Sequence, residues 1–213
     1  RRGIPESPKY TPASANVPLR ELFTTFKRQT VTLWVVWFAI AFSYYGMFLW
    51  LPSVLVAKGF SMIKSFGYVL MMTMAQLPGY FAAAYSVERY GRKLTLAVFM
   101  AMTAVVAYIF GESESATLLL ISGALLSFFN LGAWGALYAY TPENYPAFVR
   151  ASGAGFASGF GRIGSMIAPL MVGYMVAQRV AYSAIFGVFT FALLAGVLVL
   201  VVAGVETKAN SLS

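Results

Sequence analysis

The chain has 213 residues, of which 60% are hydrophobic and only 10% are charged, and its formal net charge is +8. Its mean hydropathy is +0.74, and soluble domains carry about 25% charged residues, so the composition excludes a soluble globule and indicates a membrane protein. The absence of cysteine and histidine excludes disulfides, thiolate or imidazole metal sites and histidine proton relays. We expect no metal site and no cofactor, and no nucleophile–base pair or phosphate loop indicates an enzyme.

The segment before the first apolar run, residues 1–29, is predicted to be a cytoplasmic linker that ends in an amphipathic interfacial helix. Residues 1–17 are rich in Pro, Ser and Ala, which is typical of a flexible linker. Apolar residues then recur at helical spacing among basic residues: Leu19, Leu22, Phe23 and Phe26. This pattern predicts a short helix on the membrane surface, and a solvated connector is the alternative. Because the chain begins with Arg rather than Met, we expect it to be part of a longer protein.

Six apolar segments are long enough, or nearly so, to cross a bilayer core, which takes about 20 residues. They are Thr30–Leu51, Phe66–Ser86, Leu94–Phe110, Thr117–Tyr140, Ala151–Val176 and Tyr182–Gly204. Their short connections predict one antiparallel bundle. The predicted fold class is therefore all-α, with a six-helix transmembrane bundle over residues 30–204 and a cytoplasmic tail over residues 205–213.

The distribution of Lys and Arg predicts the orientation of the bundle. Eleven of them lie before the first span, in the loops 87–93 and 141–150, or in the tail, whereas Lys58, Lys64 and Arg179 lie on the other side. The positive-inside rule then places both termini in the cytoplasm, which agrees with an even number of spans. The basic charge is thus a topology signal, and no nucleic-acid partner is expected.

Three polar side chains lie near the middle of their spans, at about one depth in the bilayer. They are Gln76 in the second span, Asn130 in the fourth and Arg162 in the fifth. Polar groups in a membrane face the bundle interior, and a guanidinium can bind a carboxylate with two hydrogen bonds. The set therefore predicts a binding site for a small organic anion. The third and sixth spans carry almost no polar groups and are predicted to be outer, lipid-facing helices.

Aromatic side chains on the same helix faces complete the predicted substrate site. They are Tyr44, Phe48, Tyr80, Trp134 and Tyr138. Aromatic rings can stack on a planar substrate. Plain packing is the alternative for these rings, interhelical hydrogen bonding for Gln76 and Asn130, and an ion pair with an acid elsewhere for Arg162. All seven glutamates lie outside the spans and there is no aspartate, so a proton-carrying acid, if transport needs one, is not in this chain.

Glycine and proline mark two spans at corresponding places of two three-helix repeats. The second span contains Pro78-Gly79, and the fifth contains Gly155, Gly159 and Pro169. Bent or broken helices at matching positions are typical of transporter sites, and small residues four apart allow close helix packing. Ordinary enrichment of Gly and Pro in membrane helices is the alternative.

Short motifs at the cytoplasmic ends of the spans resemble those of the major facilitator superfamily. The loop after the second span reads Glu88-Arg89-Tyr90-Gly91-Arg92-Lys93, which resembles the D-R-x-G-R-[RK] loop of that family. The loop from Glu143 to Arg150 resembles its E-x-x-P-x-x-x-R segment. The stretches 5–9 (PESPK) and 205–208 (VETK) are similar to the P-E-S-P-R and P-E-T-K segments of its sugar-porter-like members.

This resemblance implies that the chain forms helices seven to twelve, the C-terminal half, of a twelve-helix transporter built from inverted three-helix repeats. The missing N-terminal six-helix half is then a partner, and transport proceeds by alternating access. The resemblance also implies a cytoplasmic gate of loop charges that pair when the site faces outward: Glu88, Arg89, Arg92, Glu143 and Arg150. An ordinary i,i+4 pair at a helix end is the alternative for Glu88 and Arg92.

The segments around Tyr44, Gln76 and Asn130 look like those of the bacterial niacin transporter group among the metabolite:proton symporters. Arg162 begins a segment similar to the R-x-G-x-x-x-x-P of organic-ion relatives. The resemblance implies proton-coupled uptake of nicotinate or a similar aromatic carboxylate across the cytoplasmic membrane. A porter of sugars or other metabolites is one alternative, and a non-transporting half-transporter or membrane scaffold is another.

Overall fold

The computed structural model describes residues 20–208, and every regular element within that range is an α-helix. In chain order the helices are α1 (Arg20–Phe23), α2 (Lys27–Phe48), α3 (Leu51–Ala57), α4 (Met62–Met74), α5 (Gln76–Tyr90), α6 (Arg92–Glu112), α7 (Ala116–Glu143), α8 (Ala147–Ala177) and α9 (Tyr182–Ala203). The predicted all-α fold class is confirmed. The predicted linker over residues 1–17, Leu19 and the end of the predicted tail lie outside the described residues.

Five helices of the described range are each long and apolar enough to cross a membrane: α2, α6, α7, α8 and α9. They account for five of the six predicted spans. The other predicted span, Phe66–Ser86, falls on α4 and α5, which have 13 and 15 residues and meet at Ala75. Together these two helices are long enough for a sixth crossing, made in two pieces.

Proline explains the break in this span. Pro78 has no N–H to donate to the carbonyl oxygen of Met74, four residues earlier. The backbone tightens just before it, where the N–H of Ala75 donates to the oxygen of Met72 at 3.2 Å. Regular bonding resumes when the N–H of Gly79 donates to the oxygen of Ala75, also at 3.2 Å. The predicted bend is therefore present, but its centre lies three residues before Pro78.

The bundle is organised around α2, which packs against α8 and α9, while α7 packs against α5 and α6. The third span, predicted to be an outer, lipid-facing helix, is α6, and one side of its surface faces outward. Most of its residues are buried, because α7 covers one flank and α9 another. One strip of apolar side chains is exposed, as a lipid-facing surface requires: Leu94, Val98, Met102, Val105, Tyr108 and Ile109.

Glycine sets the distance between two of these helices and leaves another face open. A Cβ atom on Gly79 would lie 2.3 Å from the backbone oxygen of Phe128, so α5 and α7 approach closely only because this residue is glycine. In contrast, a Cβ atom on Gly155 or Gly159 would meet nothing within 4 Å. The small-residue face predicted on α8 is therefore not used for packing within the described part of the chain.

The segment before α2 is tied to the bundle by a short chain of hydrogen bonds. Among the described residues that precede α2 there is one turn of helix, α1, and the Leu22 side chain on it is fully buried. The hydroxyl of Thr30 donates to the oxygen of Leu22 at 3.0 Å, and the hydroxyl of Tyr145 donates to Thr30 Oγ1 at 3.1 Å. Burial raises the pKa of Tyr145 above its ordinary 10.0, so this hydroxyl stays protonated and available as the donor.

Candidate functional site

A cleft of about 160 Å³ opens where α2, α5, α7 and α8 meet. Its walls are Tyr44, Tyr45, Tyr80, Leu131, Trp134, Tyr138 and Arg162. Five of the eight side chains predicted to bind substrate are therefore brought together. Two residues of the cleft were not predicted from the sequence, Tyr45 and Leu131. Tyr45 directly follows the predicted Tyr44, and Leu131 directly follows the predicted Asn130.

Arg162 provides the positive charge of the cleft. It lies on an exposed part of α8, and its Nη1 donates to the hydroxyl oxygen of Tyr45 at 3.3 Å. Both ion pairs found within residues 20–208 involve Arg92, so Arg162 has no carboxylate partner there. Its guanidinium has five N–H donors, and most of them remain free to bind an anion.

Stacked and edge-on rings form the wall opposite this charge. Trp134 and Tyr138 stack at 5.7 Å between ring centroids, and Tyr44 meets Trp134 edge-on at 6.0 Å. Behind them, Trp37 contacts Trp134 at 5.5 Å. The indole N–H of Trp37 donates to Thr141 Oγ1 at 2.9 Å, which fixes the orientation of this supporting ring. The wall is thus held rigidly from the side of α2.

The other three predicted substrate residues do not line the cleft. Phe48 stacks on Tyr44 with a centroid distance of 4.8 Å, and Gln76 lies near the hydroxyl of Tyr44. Both therefore act on the cleft through Tyr44. Asn130 is only 1% exposed and lies behind the wall.

Asn130 belongs to a row of buried polar groups on one face of α7. Its Oδ1, the hydroxyl of Ser127 and Nε1 of Trp134 all lack hydrogen-bond partners among the described residues. A buried polar group left unpaired costs about 1–3 kcal/mol. These three groups form a polar strip that runs from the cleft wall toward the start of α7.

Three of the five predicted gate residues form one charged cluster at the basic end of the bundle, the end that holds loops 87–93 and 141–150. Nε of Arg92 lies 3.0 Å from Oε2 of Glu143, and its Nη2 lies 3.3 Å from Oε1 of Glu88. Arg92 is 8% exposed, so these contacts involve a largely desolvated cation. Glu88 is mostly exposed, and the contact with Glu143 is the stronger one for that reason.

The other two gate residues lie apart from this cluster. Nε of Arg150 donates to the backbone oxygen of Tyr145 at 3.2 Å, and the guanidinium of Arg89 lies 5.8 Å from the ring centroid of Tyr90. Neither is in an ion pair within residues 20–208. The structure therefore groups Glu88, Arg92 and Glu143 but not Arg89 and Arg150.

The segment after α9 completes the cluster, a role that the sequence reasoning did not identify. Oε1 of Glu206 accepts the backbone N–H of Arg92 at 2.9 Å, and the hydroxyl of Thr207 donates to Oε2 of Glu143 at 2.5 Å. Gly91 has a φ of +99°, and a Cβ atom on it would lie 2.7 Å from the Glu206 carboxylate. Only glycine fits both requirements. The signal in the sequence was the VETK stretch, which was identified as a motif but not as a partner of loop 87–93.

The sequence of the chain is similar to those of known membrane transporters. The family model of the Major Facilitator Superfamily matches residues 65–212. A Bacillus subtilis (strain 168) protein provisionally named a niacin/nicotinamide transporter is 52% identical over 220 residues, which cover 100% of this chain and 54% of that protein. The niacin transporter of Acinetobacter baylyi is 51% identical over 197 residues, 92% of this chain and 45% of its own length.

A more distant relative is the synaptic vesicle 2-related protein of Rattus norvegicus, which is 32% identical over 187 residues, 76% of this chain and 33% of that protein. The chain spans about half the length of the curated relatives it matches. The resemblance first indicated by the loop motifs is confirmed by these matches, since they are to transporters and to the same superfamily.

Proposed function

The chain belongs to the Major Facilitator Superfamily, and from this membership we propose that it forms the C-terminal half of an alternating-access transporter in the cytoplasmic membrane. The proposed substrate is a small aromatic carboxylate such as nicotinate, taken up together with protons. The expectation that the chain is not an enzyme is confirmed, because the superfamily consists of transporters.

One observation carries the proposal: a guanidinium without a carboxylate partner lies beside five aromatic rings. The charge of Arg162 is uncompensated within residues 20–208, and a cation inside a membrane requires a partner. A carboxylate suits it because two N–H groups can bind its two oxygens in parallel. The exposed ring of Tyr138, which stacks on the buried Trp134, offers a flat surface for the ring of the same substrate. A neutral sugar would leave the charge unpaired.

The dimensions of the cleft support a site completed by a second half. Its volume of about 160 Å³ is below the range of roughly 300–1,000 Å³ that ligand pockets occupy. The two named niacin transporters are about twice as long as this chain. We place the rest of the site, and the acid that carries the proton, on the six helices that precede this chain in such proteins.

The charged cluster at the basic end is the proposed cytoplasmic gate. Arg92, Glu88 and Glu143 lie within one half here, so their role is to hold loops 87–93 and 141–150 together as a unit. Arg89 and Arg150 are left available to form ion pairs with the other half. In this proposal residues 1–29 are a cytoplasmic linker with an interfacial helix, residues 30–204 span the membrane, and residues 205–213 are a cytoplasmic tail.

Uptake of labelled nicotinate by cells that express the full-length gene product tests the substrate. Hydrogen bonds to a charged group contribute about 1.5–3 kcal/mol, so Arg162→Ala should weaken apparent affinity about tenfold to a hundredfold. Arg162→Lys keeps the charge without the paired donors, so its apparent affinity should lie between those of the parent and Arg162→Ala. Arg179→Gln removes a charge just beyond the end of the same helix and should leave uptake unchanged.

The competitors and an uncoupler separate the parts of the proposal. Unlabelled nicotinate should compete well, whereas nicotinamide, which lacks the carboxylate, and glucose should compete poorly. An uncoupler should abolish accumulation. Unchanged uptake by Arg162→Ala would reject the anion site, strong competition by glucose would favour a sugar porter, and absence of uptake with the protein present in the membrane would reject the niacin assignment.

A further inference from the structure

A groove of about 530 Å³, separate from the cleft, lies between the start of α2 and the end of α9. Its polar end is formed by Thr24, Thr25, Lys27 and Arg28, and its apolar end by Val31 and Val199. The groove is at the basic end of the bundle. It therefore combines two cations, three threonines and aliphatic side chains within one depression.

Arg28 is held in position rather than extended into solvent. Its Nε donates to the backbone oxygen of Ala203 at 2.9 Å, and its Nη2 to that of Val202 at 3.5 Å. These carbonyls belong to the last turn of α9, which has no following residues in the helix to bond them. Two of the five guanidinium N–H groups are used in this way, and three remain as donors at the edge of the groove.

The positive charge of the groove has no counter-charge within the described part of the chain. Lys27 and Arg28 are both exposed, and neither is in an ion pair there. The nearest carboxylate along the chain, Glu21, is bonded to neither. An anion that enters the groove would therefore face two cations without having to displace a protein carboxylate.

The apolar end continues onto the outer surface of two membrane-spanning helices. α2 and α9 are both apolar enough to cross the bilayer, and Val31, Leu198 and Val202 are 49%, 64% and 70% exposed next to the groove. The groove thus spans the boundary between water and hydrocarbon. A basic depression between transmembrane helices at this depth is the chemistry that recognises anionic lipid head groups.

We propose that the groove binds one anionic phospholipid, whose phosphate contacts Lys27 and Arg28 and whose acyl chain lies along Val31 and Val199. The lipid would join the start of α2 to the end of α9. Each Lys or Arg near such a head group contributes about 1 kcal/mol, which corresponds to about a fivefold gain in affinity. The two cations together should give about a thirtyfold preference for an anionic over a zwitterionic lipid.

Native mass spectrometry of the purified full-length protein tests this proposal with phosphatidylglycerol and phosphatidylcholine of identical acyl chains. Lys27→Gln should reduce phosphatidylglycerol binding about fivefold, and Lys27→Gln with Arg28→Gln about thirtyfold, with phosphatidylcholine binding unchanged. Lys64→Gln, an exposed lysine at the other end of the bundle, is the matched control and should behave as the parent.

Two single variants, Lys27→Gln and Arg28→Lys, complete the test. Lys27 makes no side-chain hydrogen bond within the described residues, so Lys27→Gln alone decides the matter if the double variant does not fold. Arg28→Lys should retain most of the preference, since it keeps the charge. Equal binding of the two lipids by the parent, loss of binding in Lys64→Gln alone, or full displacement of phosphatidylglycerol by inorganic phosphate would each overturn the proposal.

Discussion

Replacement of Gly79 by alanine tests whether the two-part span packs on α7 as described. The added carbon would lie 2.3 Å from the backbone oxygen of Phe128, and 3.0 and 3.1 Å from its carbonyl carbon and Cα. These atoms belong to a helix backbone, so they cannot rotate away as the end of a side chain can. Carbon–oxygen contacts in proteins begin at about 3.3 Å. The substitution therefore requires α5 and α7 to separate by about 1 Å.

This separation of α5 and α7 should make Gly79→Ala less stable than the parent. Overpacking of a close contact costs about 1–3 kcal/mol, so Gly79→Ala should lower the ratio of folded to unfolded protein by about fivefold to 150-fold. The same span supplies a matched control, Gly67 in α4, where an added Cβ atom meets nothing within 4 Å. Alanine in a helix interior is favoured over glycine by roughly 0.5–1 kcal/mol, so Gly67→Ala should be neutral or stabilising.

Thermal unfolding of the two purified variants in detergent provides the measurement. Gly79→Ala should melt below the parent, and Gly67→Ala at or above it. If the two variants melted at the same temperature, the close contact between α5 and α7 would be refuted. If both melted well below the parent, any methyl group in this span would be harmful, and the loss in Gly79→Ala could not be assigned to the contact with Phe128.

Two further predictions concern the supporting wall and the charged cluster. Thr141→Val removes the acceptor of the buried Trp37 N–H, which should cost about 1–3 kcal/mol and lower the melting temperature, whereas Thr141→Ser should melt like the parent. Glu143→Gln removes a charge 3.0 Å from a buried guanidinium. Ser158 lines a depression with Tyr138 and Thr141, and Ser158→Cys would be the single thiol of this chain. An ion pair contributes up to about 1 kcal/mol, so labelling of this thiol from the cytoplasm should quicken by up to about fivefold. Glu88→Gln, at the exposed position, should change labelling little, and an unchanged rate in Glu143→Gln would contradict the proposed gate.

The membrane helices could be predicted from the sequence because their signal is local. Long apolar runs are required by the bilayer itself, and the helical period placed Tyr44, Trp134 and Arg162 on inward faces that do meet at one cleft. The helical period did not predict Tyr45, because it places this residue on a different face from Tyr44. It takes no account of the length of the side chain. Its hydroxyl contacts Arg162 from the adjacent position.

Other features depend on contacts that no local pattern contains. Asn130 has the right period and depth, yet it lies behind the wall because neighbouring rings occupy the cleft surface. The partner of loop 87–93 is Glu206, and their hydrogen bond joins residues 114 positions apart. The separate helix α3 begins at Leu51, the last residue of the predicted first span, and has Pro52 in its first turn.

The bond between Glu206 and Arg92 also has a consequence for the order in which the protein is made. The N-terminus of α6 receives this acceptor only after the last helix has been synthesised, and Arg28 likewise waits for Ala203, which lies 175 residues later. Until then the start of α6 and the Arg28 guanidinium lack these bonds, although Arg92 can already pair with Glu143. A chain that stops before Glu206 would therefore keep its membrane helices but lack the carboxylate that bonds the start of α6.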